Sequence, residues 1–522
     1  MEDQGAMVRH AGLLAGDPVA YWARVAPNRA AAVELASGKR LTYAALDTRA
    51  GQACGWLAGR GARAGSVVAL LGRNSLDAVV LAMASERAGV VFAPLNWRLT
   101  AAELGPILAD AGPLLLVADS EFAPVAREAA GPGLPVVTRE REAGFAAGAD
   151  RADTAPVHTG KPDDPMVLLY SSGTTGQPKG VVITRNNGLY SAFNFALVGA
   201  VGPETVALLD LPLFHTIGLV AVTRTTLTMG GTLVISDRFD PDRTLAAFAD
   251  AGIGVTHYFC VPQMAATLRR HPDFDAGRLN RLRAIFVGGA PVPAQLIADW
   301  LADGIPIANG FGMTEAGTVM HVPLDADAVR QNPGAIGLPA PFLEVRLVDA
   351  AGRDVADGAA GELWLRGPSV TPGYKTPPPG ETPFVDGWYR TGDLLVREAN
   401  GFYWLVDRLK DIYISGGENV FPGEVEAVLL ACPGVAEAAV FGVPDEKWGE
   451  IGIAHIVAAA GATLDPAAVA TFCETRLARY KRPREIRVVA TLPRTASGKV
   501  LKHVLRREHA TAPLSSSGWS AS

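Results

Sequence analysis

The densest chemistry in the sequence lies in one short stretch. Val167-Leu168-Leu169-Tyr170 runs into Ser171-Ser172-Gly173-Thr174-Thr175-Gly176-Gln177-Pro178-Lys179-Gly180, and Val181-Val182-Ile183 follows. Glycines let backbone approach a ligand closely, successive amides of such a turn form an anion-binding concavity, and four hydroxyls and one lysine add donors for phosphate oxygens. The chemistry on offer is polyphosphate binding. The arrangement is not a Walker loop, in which Gly-Lys-Ser/Thr opens a helix, because Lys179 is followed by Gly180 and a strand. A Gly/Ser/Thr cluster between strands is by itself more often a hairpin turn. The lysine is informative: the chain has nine lysines against 38 arginines, and three of the nine, Lys179, Lys410 and Lys499, fall in motif-like segments.

The elements that must position these residues follow from periodicity. Val67–Leu71, an amphipathic stretch from Ser75 to Ala88, Val90–Pro94 and a helix opening at Thr100 give a βαβ rhythm, with Thr100 and Glu103 spaced as a capping box. The rhythm returns at Leu233–Ile235, a helix from Pro241 to Ala251, Val255–Pro262, Ala284–Val287 and a helix from Pro293 to Asp303. Parallel sheets flanked by helices are expected. Residues 334–407, rich in Gly and Pro, predict a small β-rich subdomain. A compact α+β unit begins near Lys410, with a helix over Pro422–Leu430, strands over Ala438–Gly442 and Ile453–Val457, a helix opening at Asp465 and a strand over Ile486–Val489. The fold class is therefore α/β: a large N-terminal domain over 1–409, a small mobile α+β domain over 410–512, and a Ser-rich tail over 513–522 expected to be disordered.

Composition narrows the function. The 522 residues allow two to four domains at roughly 100–200 residues each, and the net charge of −6 gives no basic excess for a nucleic-acid backbone. Cys54, Cys260, Cys432 and Cys473 lie far apart, which suggests neither a disulfide framework nor a zinc site and fits a reducing cytosol. No secretory signal or membrane span is read. Oligomeric state has no signal in the sequence.

Tyr170 to Gly180 resembles the signature loop of the adenylate-forming superfamily, which includes acyl-CoA synthetases, firefly-type luciferases and the adenylation domains of nonribosomal peptide synthetases. The resemblance runs along nearly the whole chain. Leu211-Pro212-Leu213-Phe214-His215-Thr216 looks like the motif whose aromatic and histidine line the acid pocket; a lone histidine there would otherwise be a buried strand cap. Gly288-Gly289-Ala290-Pro291 is similar to the segment against the adenine and acyl group. Asn309-Gly310-Phe311-Gly312-Met313-Thr314-Glu315 matches the element in which Phe311 would stack on adenine, Thr314 would meet the α-phosphate and Glu315 would hold Mg²⁺, with Thr174 as a second metal contact. Tyr389-Arg390-Thr391-Gly392-Asp393-Leu394 matches the ribose motif, with Asp393 as acceptor. Asp407-Arg408-Leu409-Lys410-Asp411 resembles the junction, with Arg408 at the ribose or phosphate and Lys410 as hinge, and Gly416-Gly417 would border the pantetheine tunnel. Pro493-Arg494-Thr495-Ala496-Ser497-Gly498-Lys499 matches the loop that delivers the catalytic lysine, a residue that near a chain end is otherwise a solvated charge.

The resemblance implies ATP, Mg²⁺ and CoA, and a two-step reaction: a carboxylic acid is adenylated with release of pyrophosphate, then rotation of the small domain lets CoA displace AMP. Phe214 to Leu219, His257 to Pro262, Gly288-Gly289 and Gly310 to Met320 would wall the acid pocket. Their small, apolar and aromatic types favour an apolar or aryl acid, although strand alternation predicts His257 equally well as core. One departure is Thr184-Arg185-Asn186-Asn187, where the family has Thr-His-Arg-Asn. It leaves open an enzyme that only thioesterifies a preformed acyl-AMP. A stand-alone enzyme loading a carrier protein is a second alternative. A non-catalytic nucleotide-binding protein is a third, for which loss of Lys499 or Glu315 would be expected. Ile414 stands where the luciferase branch keeps a lysine.

Overall fold

A computed structural model describes residues 17–140, 144–155, 160–172, 178–290, 292–377, 382–415, 418–445, 447–495 and 498–511. The phosphate-loop residues Gly173, Thr174, Thr175 and Gly176, the tunnel pair Gly416 and Gly417, and the tail 513–522 lie outside the described residues, and of Ser172 only the backbone is described. Contacts divide the chain into two compact units, 1–345 with 364–390 and 346–363 with 391–522.

The first unit holds two large sheets. One has six strands in the order Val136–Thr138, Leu115–Ala118, Val67–Leu71, Val91–Leu95, Pro165–Ser172 and Pro178–Thr184. It is parallel except for its last pair, a hairpin whose register sets Tyr170 opposite Gly180 and Ser171 opposite Lys179. The strands on either side of the phosphate-type segment are therefore the two arms of one hairpin. The other sheet has nine strands, with His257–Cys260, Ala284–Gly288 and Ile307–Met313 parallel neighbours and Gly317–His321 returning antiparallel. Central strands such as Val67–Leu71 are buried along their whole length, as a parallel sheet covered on both faces requires. Helix starts follow local chemistry: Ser75, Thr100 and Thr184 each cap the helix after them, and Thr100 and Thr184 do so reciprocally with Glu103 and Asn187.

In the second unit Trp388–Arg397 pairs with Tyr403–Arg408 from Asp393 onward, which sets Asp393 opposite Arg408. Beyond it Glu418–Val420, Tyr413–Ser415, Gly449–Ala458, Val435–Asp445 and Glu485–Val488 form a second sheet. The helices Pro422–Leu430 and Pro466–Glu474 contribute Val425, Leu429, Val469 and Cys473 to the core of that unit. All four cysteines are buried and free. No helix among the described residues is long and apolar enough to cross a membrane.

Candidate active site

In the first unit three separated segments converge through one loop. Glu315 sits on the turn between Ile307–Met313 and Gly317–His321, while Lys179 is the second residue of the hairpin's return strand, Pro178–Thr184. Residues 371–376 join them. The Thr371 amide donates to the Glu315 carbonyl at 2.7 Å, the Lys375 amide to the Gly180 carbonyl at 2.7 Å, and the Val182 amide to the Gly373 carbonyl at 3.0 Å. The Tyr374 hydroxyl donates to Glu315 Oε1 at 3.2 Å and meets the Tyr389 hydroxyl at 3.2 Å, and Lys179 Nζ lies 5.6 Å from the Tyr374 ring centroid. One phenol thus sets a carboxylate and an ammonium in relation to each other. Tyr374 has no charge and stands in an unremarkable Pro-Gly-Tyr-Lys run, so residue type alone did not single it out; its signal is long-range pairing. A cavity beside it is lined by Ile183, Asn187, Thr216, Val220, Thr314 and Glu315 among others, a wall of mixed polar and apolar groups.

Asn74 shapes the neighbouring segment. Its side-chain oxygen accepts from the Leu213 amide at 3.0 Å while its nitrogen donates to the carbonyls of Leu211 and Ser236 at 3.0 and 3.1 Å, fixing the backbone that leads into Phe214-His215. The His215 ring lies 4.6 Å from Phe214, and its Nε2 is buried with no hydrogen-bond partner among the described residues. Burial, with the Arg98 charge adding to it, pushes His215 down to about 4, so the ring is neutral at pH 7. Leu219 is fully packed in the core. His257 is placed there too: Thr256 bonds its Nδ1 at 2.8 Å and its Nε2 bonds the Gly199 carbonyl at 3.1 Å.

Gly288 lies opposite Gly310 in register, and a Cβ on Gly288 would come within 2.6 Å of the Gly310 carbonyl oxygen, so glycine is needed for the strands to approach. Gly289 follows with φ +82°, a conformation that favours glycine. Gly289 and Gly312 are exposed while Ala290, Phe311 and Met313 are half-buried, and Asn309 is held inside by donation to the Ala335 carbonyl at 2.8 Å. Arg185 turns away into packing, its Nη1 donating to the Glu86 carbonyl at 2.9 Å, beside the buried Arg224–Glu86 pair at 2.5 Å.

The second unit brings Asp393, Arg408, Lys410 and Lys499 together. Asp393 is 1 % exposed and its Oδ1 lies 2.8 Å from Arg408 Nε, yet neither carboxylate oxygen receives a well-angled hydrogen bond from the described residues. Burial pushes its carboxyl up, opposed by the charges of Arg408, Lys499 and Lys410. A pair of buried, under-bonded acceptor oxygens fits a diol donor. Lys499 is carried on a pinned turn: its amide donates to Thr495 Oγ1 at 3.0 Å, the Thr495 amide donates to its carbonyl at 2.7 Å, and Arg494 bonds the Gly498 carbonyl at 2.5 Å and Glu437 at 2.6 Å. Gly498 has φ +83°, which the turn requires. Burial, reinforced by Arg408, lowers the Lys499 ammonium to about 7.

The comparisons with known proteins agree along most of the chain. The model of the AMP-binding enzyme family matches residues 19–375, and that of the AMP-binding enzyme C-terminal domain matches 424–499. A feruloyl-CoA synthase from Amycolatopsis sp. is 39 % identical over 487 residues, 93 % of this chain and 97 % of that protein. The long-chain-fatty-acid CoA ligase FadD13 of Mycobacterium tuberculosis is 34 % identical over 94 % of this chain and 98 % of its own. Among solved structures, ATP-bound MatB from Rhodopseudomonas palustris superimposes with a TM-score of 0.88 at 32 % identity, covering 96 % of this chain and 99 % of that one. The o-succinylbenzoate CoA synthetase MenE from Bacillus subtilis, in complex with its acyl-adenylate intermediate OSB-AMP, gives 0.83 at 30 % identity, covering 95 % and 98 %. With both domain models matched and relatives similar over their full length, the chain belongs to the AMP-binding enzyme family, in its acid:CoA ligase branch.

Proposed function

We propose that the protein is an AMP-forming ligase that joins an apolar or aryl carboxylic acid to CoA at the expense of ATP. The observation that carries the reading is the Asp393, Arg408 and Lys499 cluster, where a buried acceptor carboxylate and a desolvated ammonium share one unit. In the first step a carboxylate oxygen of the acid attacks the α-phosphorus of ATP, the bond to the bridging oxygen breaks, and pyrophosphate leaves with the electron pair. Two anions must meet. Lys499 offsets that repulsion, Asp393 accepts from the ribose hydroxyls, Arg408 steadies the nucleotide, and Lys179 and the 171–176 loop hold the terminal phosphates. Glu315, with Thr174 as a second contact, would hold Mg²⁺, which would supply neutralisation of phosphate charge.

In the second step the CoA sulfur attacks the acyl carbonyl, the bond to AMP breaks, and the thiol proton leaves to solvent or phosphate. Lys410 is the hinge that exchanges Lys499 for Gly416-Gly417 at the acyl-AMP. Phe214, His215, Leu219, Gly288, Gly289, Gly312 and Met313 form or support the acid pocket, with Ala290, Asn309, Gly310 and Phe311 toward the adenine. Arg185, whose Nη1 donates to the Glu86 carbonyl, serves packing. The four buried free thiols and the absence of any basic excess support work in a reducing compartment without nucleic acid. The test is a panel of aryl and medium-chain acids with ATP, Mg²⁺ and CoA, scored separately for pyrophosphate and thioester. The reading expects both products with the same acids, and pyrophosphate with none of them overturns it.

Two further results are expected. Tyr374→Phe removes one hydrogen bond to the Glu315 carboxylate. At about 1.5–3 kcal/mol for a bond to a charged group, it weakens MgATP binding by roughly 10–100-fold. Titration calorimetry with MgATP measures that, while thioester formation from synthetic acyl-AMP stays within about two-fold. The pH profile reports Lys499. Its charged form is disfavoured in the free protein, so kcat/KM for ATP falls as pH rises through about 7. Bound phosphates restore the ammonium, so kcat holds to higher pH, and a shared pH limit for kcat and kcat/KM contradicts this.

A further inference from the structure

His321 is used by no step above, and its surroundings are those of a reader of substrate. It ends the strand Gly317–His321 directly opposite Gly310, which is itself opposite Gly288, so the three residues stand in a row on one face at the carboxyl edge of two parallel strands. Two members of the row have no side chain. The imidazole packs over Gly310: a Cβ there would lie 2.9 Å from His321 Cδ2 and 3.5 Å from Nε2. Phe286 meets the ring edge-on with centroids 5.0 Å apart. Gly337, at φ +104°, passes so close that a Cβ there would strike the His321 carbonyl carbon at 2.0 Å, which pins the strand end and with it the ring.

His321 is 3 % exposed, and neither Nδ1 nor Nε2 makes a well-angled hydrogen bond among the described residues, the Val322 backbone being the one polar group close enough to act on the ring. The contrast with His257 on the same sheet is informative, since that equally buried ring has both nitrogens bonded. A histidine kept for packing is satisfied in this way, and an apolar ring would fill the His321 position without two unpaired polar atoms. Burial lowers His321 to about 4, opposed in part by the Val322 backbone, so at pH 7 the ring is neutral and offers one N–H and one lone pair.

We infer that His321 is a specificity residue that reads a hydrogen-bonding group, such as a ring hydroxyl, carried on the acid remote from its carboxylate, at the end of the Gly288, Gly310 and His321 row. The inference rests on the ligase reading and narrows its substrate to polar-substituted aryl acids. A site built to bond a hydroxyl rejects the analogue lacking it far more strongly than an apolar pocket rejects an extra one.

The test measures pyrophosphate release with matched acids, cinnamate against its ring-hydroxylated forms and 3-phenylpropanoate against its own, in the full-length protein. The wild type is expected to prefer the best hydroxylated member by at least about 10-fold in kcat/KM. His321→Phe, with unfolding checked by calorimetry, brings that ratio to within about three-fold of unity while the unsubstituted acid reacts as well as before. His321→Gln, which keeps a donor and an acceptor, retains the preference and serves as the control should the phenylalanine variant fail to fold. Equal losses for both members of a pair, or no preference in the wild type, overturn the inference, and pyrophosphate release with the unsubstituted acids then leaves the ligase reading intact. Release with none of the acids overturns both.

Discussion

Lys499→Ala lowers acid-dependent pyrophosphate release by about 10²–10⁴-fold, the range for losing one preorganised transition-state donor. The size follows from where the ammonium sits. Burial and Arg408 have already lowered it to about 7, so it is stripped of much of its hydration before substrate arrives and gains most when two anions come together beside it. The loop itself is held by Thr495 and by Arg494, which bonds the Gly498 carbonyl and Glu437, so truncating the side chain leaves the turn in place. Thioester formation from synthetic acyl-AMP and CoA stays within about three-fold of wild type, because the proposed second step does not use Lys499. A parallel loss in both half-reactions contradicts the assignment.

Asp393→Asn lowers kcat/KM for ATP by roughly 10²–10³-fold, since two hydrogen bonds to a charged acceptor at about 1.5–3 kcal/mol each are weakened or misdirected. Stability responds far less. The carboxylate is 1 % exposed with neither oxygen in a well-angled hydrogen bond among the described residues, so removing its charge relieves desolvation, while Arg408, Lys410 and Lys499 lose the anion between them. These opposed effects keep the unfolding midpoint within about 4 °C of wild type, on a scale of 2–4 °C per kcal/mol for larger domains. Calorimetry beside ATP kinetics checks both halves, and a large destabilisation with unchanged ATP kinetics would make Asp393 a structural residue.

Much of the fold was legible because its signals are local. The run Val67–Leu71 is a strand over those residues, Ser75 caps the helix that follows, and the Thr100–Glu103 spacing is a true capping box. Pro422–Leu430 is a helix as periodicity predicts, and Asp465 caps Pro466–Glu474. The rest depends on contacts between distant positions. Tyr374 matters through Glu315, 59 residues away, and Asn74 through Leu211 and Leu213, more than 130 residues away, and no spacing rule connects such pairs. His257 and His321 show the same limit from the other side. Both are histidines in apolar strands, and only their hydrogen-bond partners, or the lack of them, separate a packed ring from an available one.

The central claim, that the acid is activated as an adenylate before CoA takes part, is tested most directly by exchange of labelled pyrophosphate into ATP with an accepted acid and Mg²⁺ but no CoA. Acid-dependent exchange is expected in the wild type, falling by at least about 100-fold in Lys499→Ala. Exchange that requires CoA, or formation of ADP and phosphate in place of AMP and pyrophosphate, would contradict it.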